Sequence, residues 1–293
     1  MTKKNLFYGL LALAFAFTLT SCGNDDDEGS STESLSLNIQ GLEDLGGDYV
    51  YEGWIMVDGS PVTTGTFQVN ASGQLSQTEF DIDAADLAAA TAFVLTIEPA
   101  VDPDPAPAAT KILSGDFSGN TASVSINMMV GDFTNASGNY FLATPTDGNV
   151  NPLSGLWFID ASSGTPEAGL KDLPSLPAGW AYEGWVVING TPLSTGVFTS
   201  AEGADQSSIY SGPMDGPPFP GEDFLMNAPA GLSFPTDLSG ATVVVSVEPV
   251  PDNSPSPFTL KPLAGGVPNP AAGLTPYDVN FSSQSLPTGS VSR

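Results

Sequence analysis

Histidine is absent from this 293-residue chain, and cysteine occurs once, as Cys22. Without histidine the commonest general base and transition-metal ligand is missing. A single cysteine excludes a disulfide within the chain and any site built from several thiolates. Basic residues are scarce as well: six Lys and Arg stand against 33 Asp and Glu, for a net charge of −27. So acidic a surface repels nucleic acid and anionic lipid, and it attracts divalent cations and basic partners. No nucleic-acid partner is expected. Long apolar runs are also missing, since the one over residues 6–20 is short for a membrane span.

That run follows Lys3 and Lys4 and ends in Leu19-Thr20-Ser21-Cys22. A basic start, an apolar middle and small residues before a cut describe an export signal. Its end resembles the lipobox of bacterial lipoproteins, which implies removal of residues 1–21 and acylation of Cys22. Each buried methylene of an acyl chain contributes about 0.8 kcal/mol, so two or more chains hold a protein stably on a membrane. An ordinary secretory signal with an incidental cysteine is the plainer alternative. Behind Cys22, Gly23-Asn24-Asp25-Asp26-Asp27-Glu28 and a Gly/Ser/Thr stretch make a self-repelling, flexible tether over 22–34. The acidic run is similar to the export tag of surface lipoproteins of the Bacteroidetes. That likeness implies a lipid-anchored outer-membrane protein exposed at the cell surface; the alternative is a solvated spacer.

What the chain does have is a duplication. Tyr51-Glu52-Gly53-Trp54 returns as Tyr182-Glu183-Gly184-Trp185, 131 residues later, and each copy leads into the same Gly-x-Phe sequel at Phe67 and Phe198. With 32 Gly and 26 Pro, the composition calls for many turns and short elements. Period-two alternation predicts strands over 35–39, 49–57 and 63–69, with Asp58-Gly59-Ser60-Pro61 as the turn between the last two. Further strands are expected over 92–97, 122–130, 139–143 and 155–159, and a short helix with an acidic first turn over 81–90. The fold class is therefore all-β: two tandem antiparallel, sandwich-like domains over 35–135 and 136–293. Trp54, Trp157 and Trp185 sit in strand patterns and are expected in the core. Trp180, after Pro177-Ala178-Gly179, is the tryptophan expected to be exposed.

A second block is repeated as Glu98-Pro99 with Asp102, Lys111 and Leu113, and as Glu248-Pro249 with Asp252, Lys261 and Leu263. Proline cannot donate to a ladder, so each strand ends there and an extended Pro-rich loop follows. Lysines are so rare here that two at one repeat position call for a cause. The expectation is a structural ion pair at each loop neck: Lys111 with Glu98 or Asp102, and Lys261 with Glu248 or Asp252. An acid–base pair is the functional alternative. The second repeat is also enlarged, because 31 residues separate Phe67 from Glu98 whereas 50 separate Phe198 from Glu248. Long loops in compact domains are commonly functional, and this one holds the adjacent acids Glu222 and Asp223. A polysaccharide hydrolase would use such a carboxylate pair. No cofactor is expected. Ca²⁺, which takes six to eight oxygens, has candidate ligands in the Asp-rich turns at Asp102 and Asp104, at Asp147 with Asn149 and Asn151, and at Asp252 with Asn253.

The order of a Trp strand, Pro-x-x-x-Gly-x-Phe and a Val-rich strand closing in Glu-Pro resembles the extracytoplasmic C-terminal domain of anti-sigma-K factors. Val243-Val244-Val245-Ser246-Val247-Glu248-Pro249 is the nearer match, and residues 93–99 the looser one. The resemblance implies an extracytoplasmic module that binds or senses, here doubled. It does not imply direct sigma-factor contact, since a lipid signal stands where that family has a sigma-binding domain and a membrane span. The expected function is a non-catalytic, lipid-anchored envelope module with a protein or glycan partner. A structural or adhesive surface lipoprotein is the alternative.

Overall fold

The alternating segments form antiparallel strands almost throughout. A computed structural model describes residues 31–252 and 254–293; the export signal, Cys22, most of the tether and Asn253 lie outside the described residues. The first repeat supplies β1 (Thr32–Gln40), β2 (Tyr49–Val57), β3 (Ser60–Phe67), β4 (Glu79–Asp83), helix α1 (Ala84–Ala89), β5 (Ala92–Pro99), β6 (Lys111–Ser118), β7 (Thr121–Ser125) and β8 (Ser137–Leu142). The second supplies β9 (Gly155–Trp157), the short β10 (Ile159–Asp160), β11 (Glu167–Ala168) and β12 (Leu170–Lys171), then β13 (Trp180–Ile188) and β14 (Thr191–Phe198). It ends with β15 (Gly221–Asp223), β16 (Thr242–Pro249), β17 (Leu263–Gly266), β18 (Pro276–Phe281) and β19 (Thr288–Ser292). Among the described residues no helix is long and apolar enough to cross a membrane.

Local chemistry explains the repeated motifs. Asp58 and Gly59 both take positive φ (49° and 78°), as do Asn189 and Gly190 (50° and 83°). They make the two-residue turns whose twist matches the flanking strands. In each hairpin the register slips by one residue after the motif glycine, leaving Thr64 or Thr195 as the extra residue of a bulge. Gly65 and Gly196 follow at φ 107° and 121°, a conformation that favours glycine. The bulge turns each threonine onto the motif glycine. A Cβ on Gly184 would collide with Thr195 Oγ1 and stand 2.8 Å from the Phe158 ring, and Gly53 is hemmed in likewise by Thr64 and Phe93. That crowding accounts for the Glu-Gly-Trp spelling in both copies. Asp83 caps α1 by accepting from the amides of Ala85 and Asp86. The strand expected over 122–130 stops at Ser125, because the Ile126 carbonyl takes the amides of Met129, Val130 and Gly131 and turns the chain.

Two large sheets result, in the orders β3-β2-β5-β6-β7-β19-β1-β4 and β14-β13-β16-β17-β18-β8-β9-β15, with β12 added on β8. The outermost strands of each sheet come back into contact, β3 with β4 and β14 with β15, so each sheet curls around its own apolar filling into a sandwich-like lobe. Position by position the two orders are the same, with one exchange. β8 follows β7 in the chain but pairs with β18 and β9, whereas β19 follows β18 but pairs with β7 and β1. Each repeat thus lends its last strand to the other. By this pairing the copies divide after β8, past residue 142 and not near the expected 135, while residues 32–293 form one compact unit. The final residue seals the exchange. Arg293, the sole arginine, donates to the carbonyls of Leu87 (2.6 Å), Ala90 (2.8 Å) and Gly119 (3.1 Å) and lies 4.5 Å over the Phe117 ring.

Candidate functional site

The Glu-Pro strands carry a polar chain buried at equivalent places in both lobes. Period two puts Thr96 and Glu98 on one face of β5, and Ser246 and Glu248 on one face of β16. Trp54 Nε1 donates to Thr96 Oγ1 (2.9 Å), which donates to Glu98 Oε1 (2.5 Å). Trp185 Nε1 donates to Ser246 Oγ (2.8 Å), which donates to Glu248. Each carboxylate then accepts an amide of its own Pro-rich loop, Ala108 N at 2.8 Å and Phe258 N at 2.9 Å. Both glutamates are 1% exposed, and burial raises the pKa of each, to about 7 for Glu248.

The loop necks are therefore clamped, but the partners differ from those expected. Among the described residues the one ion pair is Lys171 with Asp160 at 3.7 Å. Lys111 instead donates to the Ala108 carbonyl at 3.4 Å. Lys261 is half-buried with a lowered pKa: desolvation outweighs its attraction to Glu43 and Glu248, and neither comes within ion-pair distance. The reason lies in the loop path. Each loop doubles back so that its own amide reaches the glutamate first, and a fixed amide costs less ordering than a long lysine side chain. Asp102 and Asp252 serve as turn residues, accepting from Asp104 N and Ser254 N at 2.8 Å each.

These loops build a concavity of about 690 Å³ where the two repeats meet. Ile97, Pro99 and 108–110 of the first Glu-Pro block face Glu248 to Pro251 and Phe258 of the second, and the β1–β2 connection over 43–49 closes one side. Gly179 packs against Ala109, and Thr259 Oγ1 donates to the Gly41 carbonyl (2.9 Å), tying the lobes beside it. The wall is mostly apolar. Its polar part includes Glu43, Asp44, Asp48, Glu248 and Asp252, with carboxylate oxygens of Glu183, Glu248 and Asp252 within 4.8 Å of one another. Burial pushes Glu183 up to about 7 and raises Glu43. Trp180 is 5% exposed, its ring centroid 6.0 Å from that of Phe258. The expectation that it is exposed fails because Phe258 returns from the Pro-rich loop to cover it.

Glu222 and Asp223 sit elsewhere and line none of the described cavities. Both are fully buried on β15, and as strand neighbours they point to opposite faces. Glu222 accepts from Ser211 Oγ; Asp223 accepts from Trp157 Nε1 (2.7 Å), Thr146 N (2.8 Å) and Thr146 Oγ1. They anchor the enlarged region, whose Tyr210, Phe224 and Phe234 rings pack at 5.4–5.8 Å. Asp104 accepts from Ala106 N, and Asp147 accepts from Thr144, Val150 and Asn151 while Asn149 holds Thr144 N, so the Asp147 turn engages both its carboxylate oxygens within the chain.

The interlobe pocket was not foreseen from sequence. Its one signal was the recurrence of the Glu-Pro loop, which marks two copies of a feature but not that they face each other. Comparison of the chain with protein-family models, with curated proteins and with solved structures yields no match.

Proposed function

We propose that this chain is a non-catalytic binding module of the cell envelope, held at the membrane by lipid on Cys22, with the pocket between the repeats as its ligand site. The observation that carries this reading is the pocket itself: two copies of one loop enclose about 690 Å³ of mostly apolar space with a few convergent carboxylates. That is the usual make-up of a ligand site. Sugar recognition leans on exposed aromatic faces, whereas the aromatic lining here is Tyr49, half-buried, and Phe258, buried. An apolar segment of an envelope protein carrying a positive charge fits better, and the net charge of −27 would draw it in. The resemblance to the extracytoplasmic domain of anti-sigma-K factors joins this proposal as a sensing role without direct sigma-factor contact.

Gly47 lines the pocket, and a side chain there would meet nothing within 4 Å. Nile red, a neutral dye, is expected to bind the full chain at one saturable site and to bind Gly47→Trp about tenfold more weakly, a loss of about 1.4 kcal/mol. Gly266→Trp, at an equally open position outside the pocket, is expected to bind like the parent. Equal binding by all three proteins rejects the pocket as the site. For the anchor, an alkyne-tagged fatty acid supplied to cells is expected to label the wild-type chain and not Cys22→Ser. Label retained by the variant would dismiss lipidation at that residue.

A further inference from the structure

We infer that the second lobe holds a divalent-cation site, fitted to Ca²⁺, formed by Glu183, Glu248 and Asp252 at the wall of the interlobe pocket. Three carboxylates converge there, with an oxygen of each within 4.8 Å of the others. Convergence alone would describe an acidic patch; the state of Glu183 goes further. Its side chain is 5% exposed, one oxygen accepts from Ser194 Oγ, and the other, Oε2, has no hydrogen-bond partner although it is buried. A buried carboxylate oxygen without a donor is costly, and Glu183 stands among two further carboxylates. A cation satisfies all three at once.

The remaining donors fit a hard ion. Asp252 Oδ1 takes Ser254 N, leaving Oδ2 unengaged in any described hydrogen bond at the exposed side, and Glu248 and Asp252 both line the pocket through which an ion would enter. All-oxygen ligation from mobile and fixed carboxylates, open to water on one side, suits the irregular six- to eight-fold shell of Ca²⁺ better than the strict octahedron of Mg²⁺. The first lobe supplies an internal contrast. Glu52, Glu98 and Asp102 hold the same repeat positions, yet they form no such cluster, and the half-buried Glu52 takes its bond from Thr63 at 2.5 Å. One such site among the described residues follows.

Other charges near the site are Asp205 and Glu43, which oppose ionisation of the cluster, and Lys261, which faces Glu43 and Glu248. The test is calorimetric titration of the full chain with CaCl₂. One saturable Ca²⁺ site is expected. Glu183→Gln is expected to bind about tenfold or more weakly, and Glu52→Gln to bind like the parent. Should Glu183→Gln fail to fold, Asp252→Asn changes an exposed side chain and is expected to show the same loss. Absence of saturable binding, a response to MgCl₂ equal to that for CaCl₂, or binding undiminished in the Glu183 and Asp252 variants would each overturn the site.

Discussion

A chain ending at residue 287 is expected to lose its cooperative unfolding transition and to accumulate as insoluble protein. The six residues removed are few, but they include the whole of β19, which joins β7 to β1 in the middle of the first sheet with five paired residues on each side. Without it the β1–β4 pair is cut from the sheet, and the apolar faces of Leu37, Ile39, Ala122 and Val124, all buried, are bared. Val291 itself is fully buried, worth about 1.5–3 kcal/mol. Two ladders and the Arg293 contacts add to that, so the loss is comparable to the roughly 5–15 kcal/mol by which domains are stable. The same exchange predicts that residues 32–142 and 143–293, expressed apart, remain unfolded by circular dichroism and regain strand signal when coexpressed. A first repeat that melts sharply by itself would refute the reciprocal exchange as a requirement for folding.

Raising the pH from 5 to 8 with a chelator present is expected to lower the melting temperature by roughly 20 °C, at 2–4 °C per kcal/mol for a chain of this size. Burial pushes Glu183, Glu222 and Glu248 up to about 7 and Asp205 up to about 6. In the unfolded chain such groups titrate near ~4. Between those values the folded protein holds protons that the unfolded chain has released, so stability falls as pH rises. Their contribution is complete below about pH 4 and gone above about pH 7. On the acid side Glu79 works oppositely, its pKa lowered by hydrogen bonds from Ser36 and Ser34, and its contribution is lost as the pH drops. The measurement is thermal unfolding across that range in the parent and in Glu222→Gln, an uncharged isostere in a site that favours the neutral acid. The variant is expected to show a shallower slope and a higher melting temperature at pH 8. A flat profile in the parent would contradict the buried-acid account, and so would a variant that melts lower at every pH.

Strand identity was legible because it is local. Alternation in 49–57 and 92–97, the Asp58-Gly59 turn and the acid-capped helix at 84–89 each depend on a few consecutive residues, and each forms close to where the pattern puts it. The core tryptophans were legible for the same reason. The glutamates of the Glu-Pro blocks stood out by recurrence, but their partners did not. Which donor reaches Glu98 depends on how far a Pro-rich loop doubles back, and the nearest group proved to be the loop's own amide.

By itself the sequence determined the duplication, the all-β class and the turns of the hairpins, since these follow from side-chain period and from glycine's freedom at positive φ. Only the tertiary structure decided that β8 and β19 trade lobes, that Trp180 is covered, and that one loop from each copy meets the other across a pocket. A strand's alternation states which of its faces is apolar and leaves open which neighbour it will pair with; that choice rests on contacts more than a hundred residues apart in the chain, between β19 and both β7 and β1.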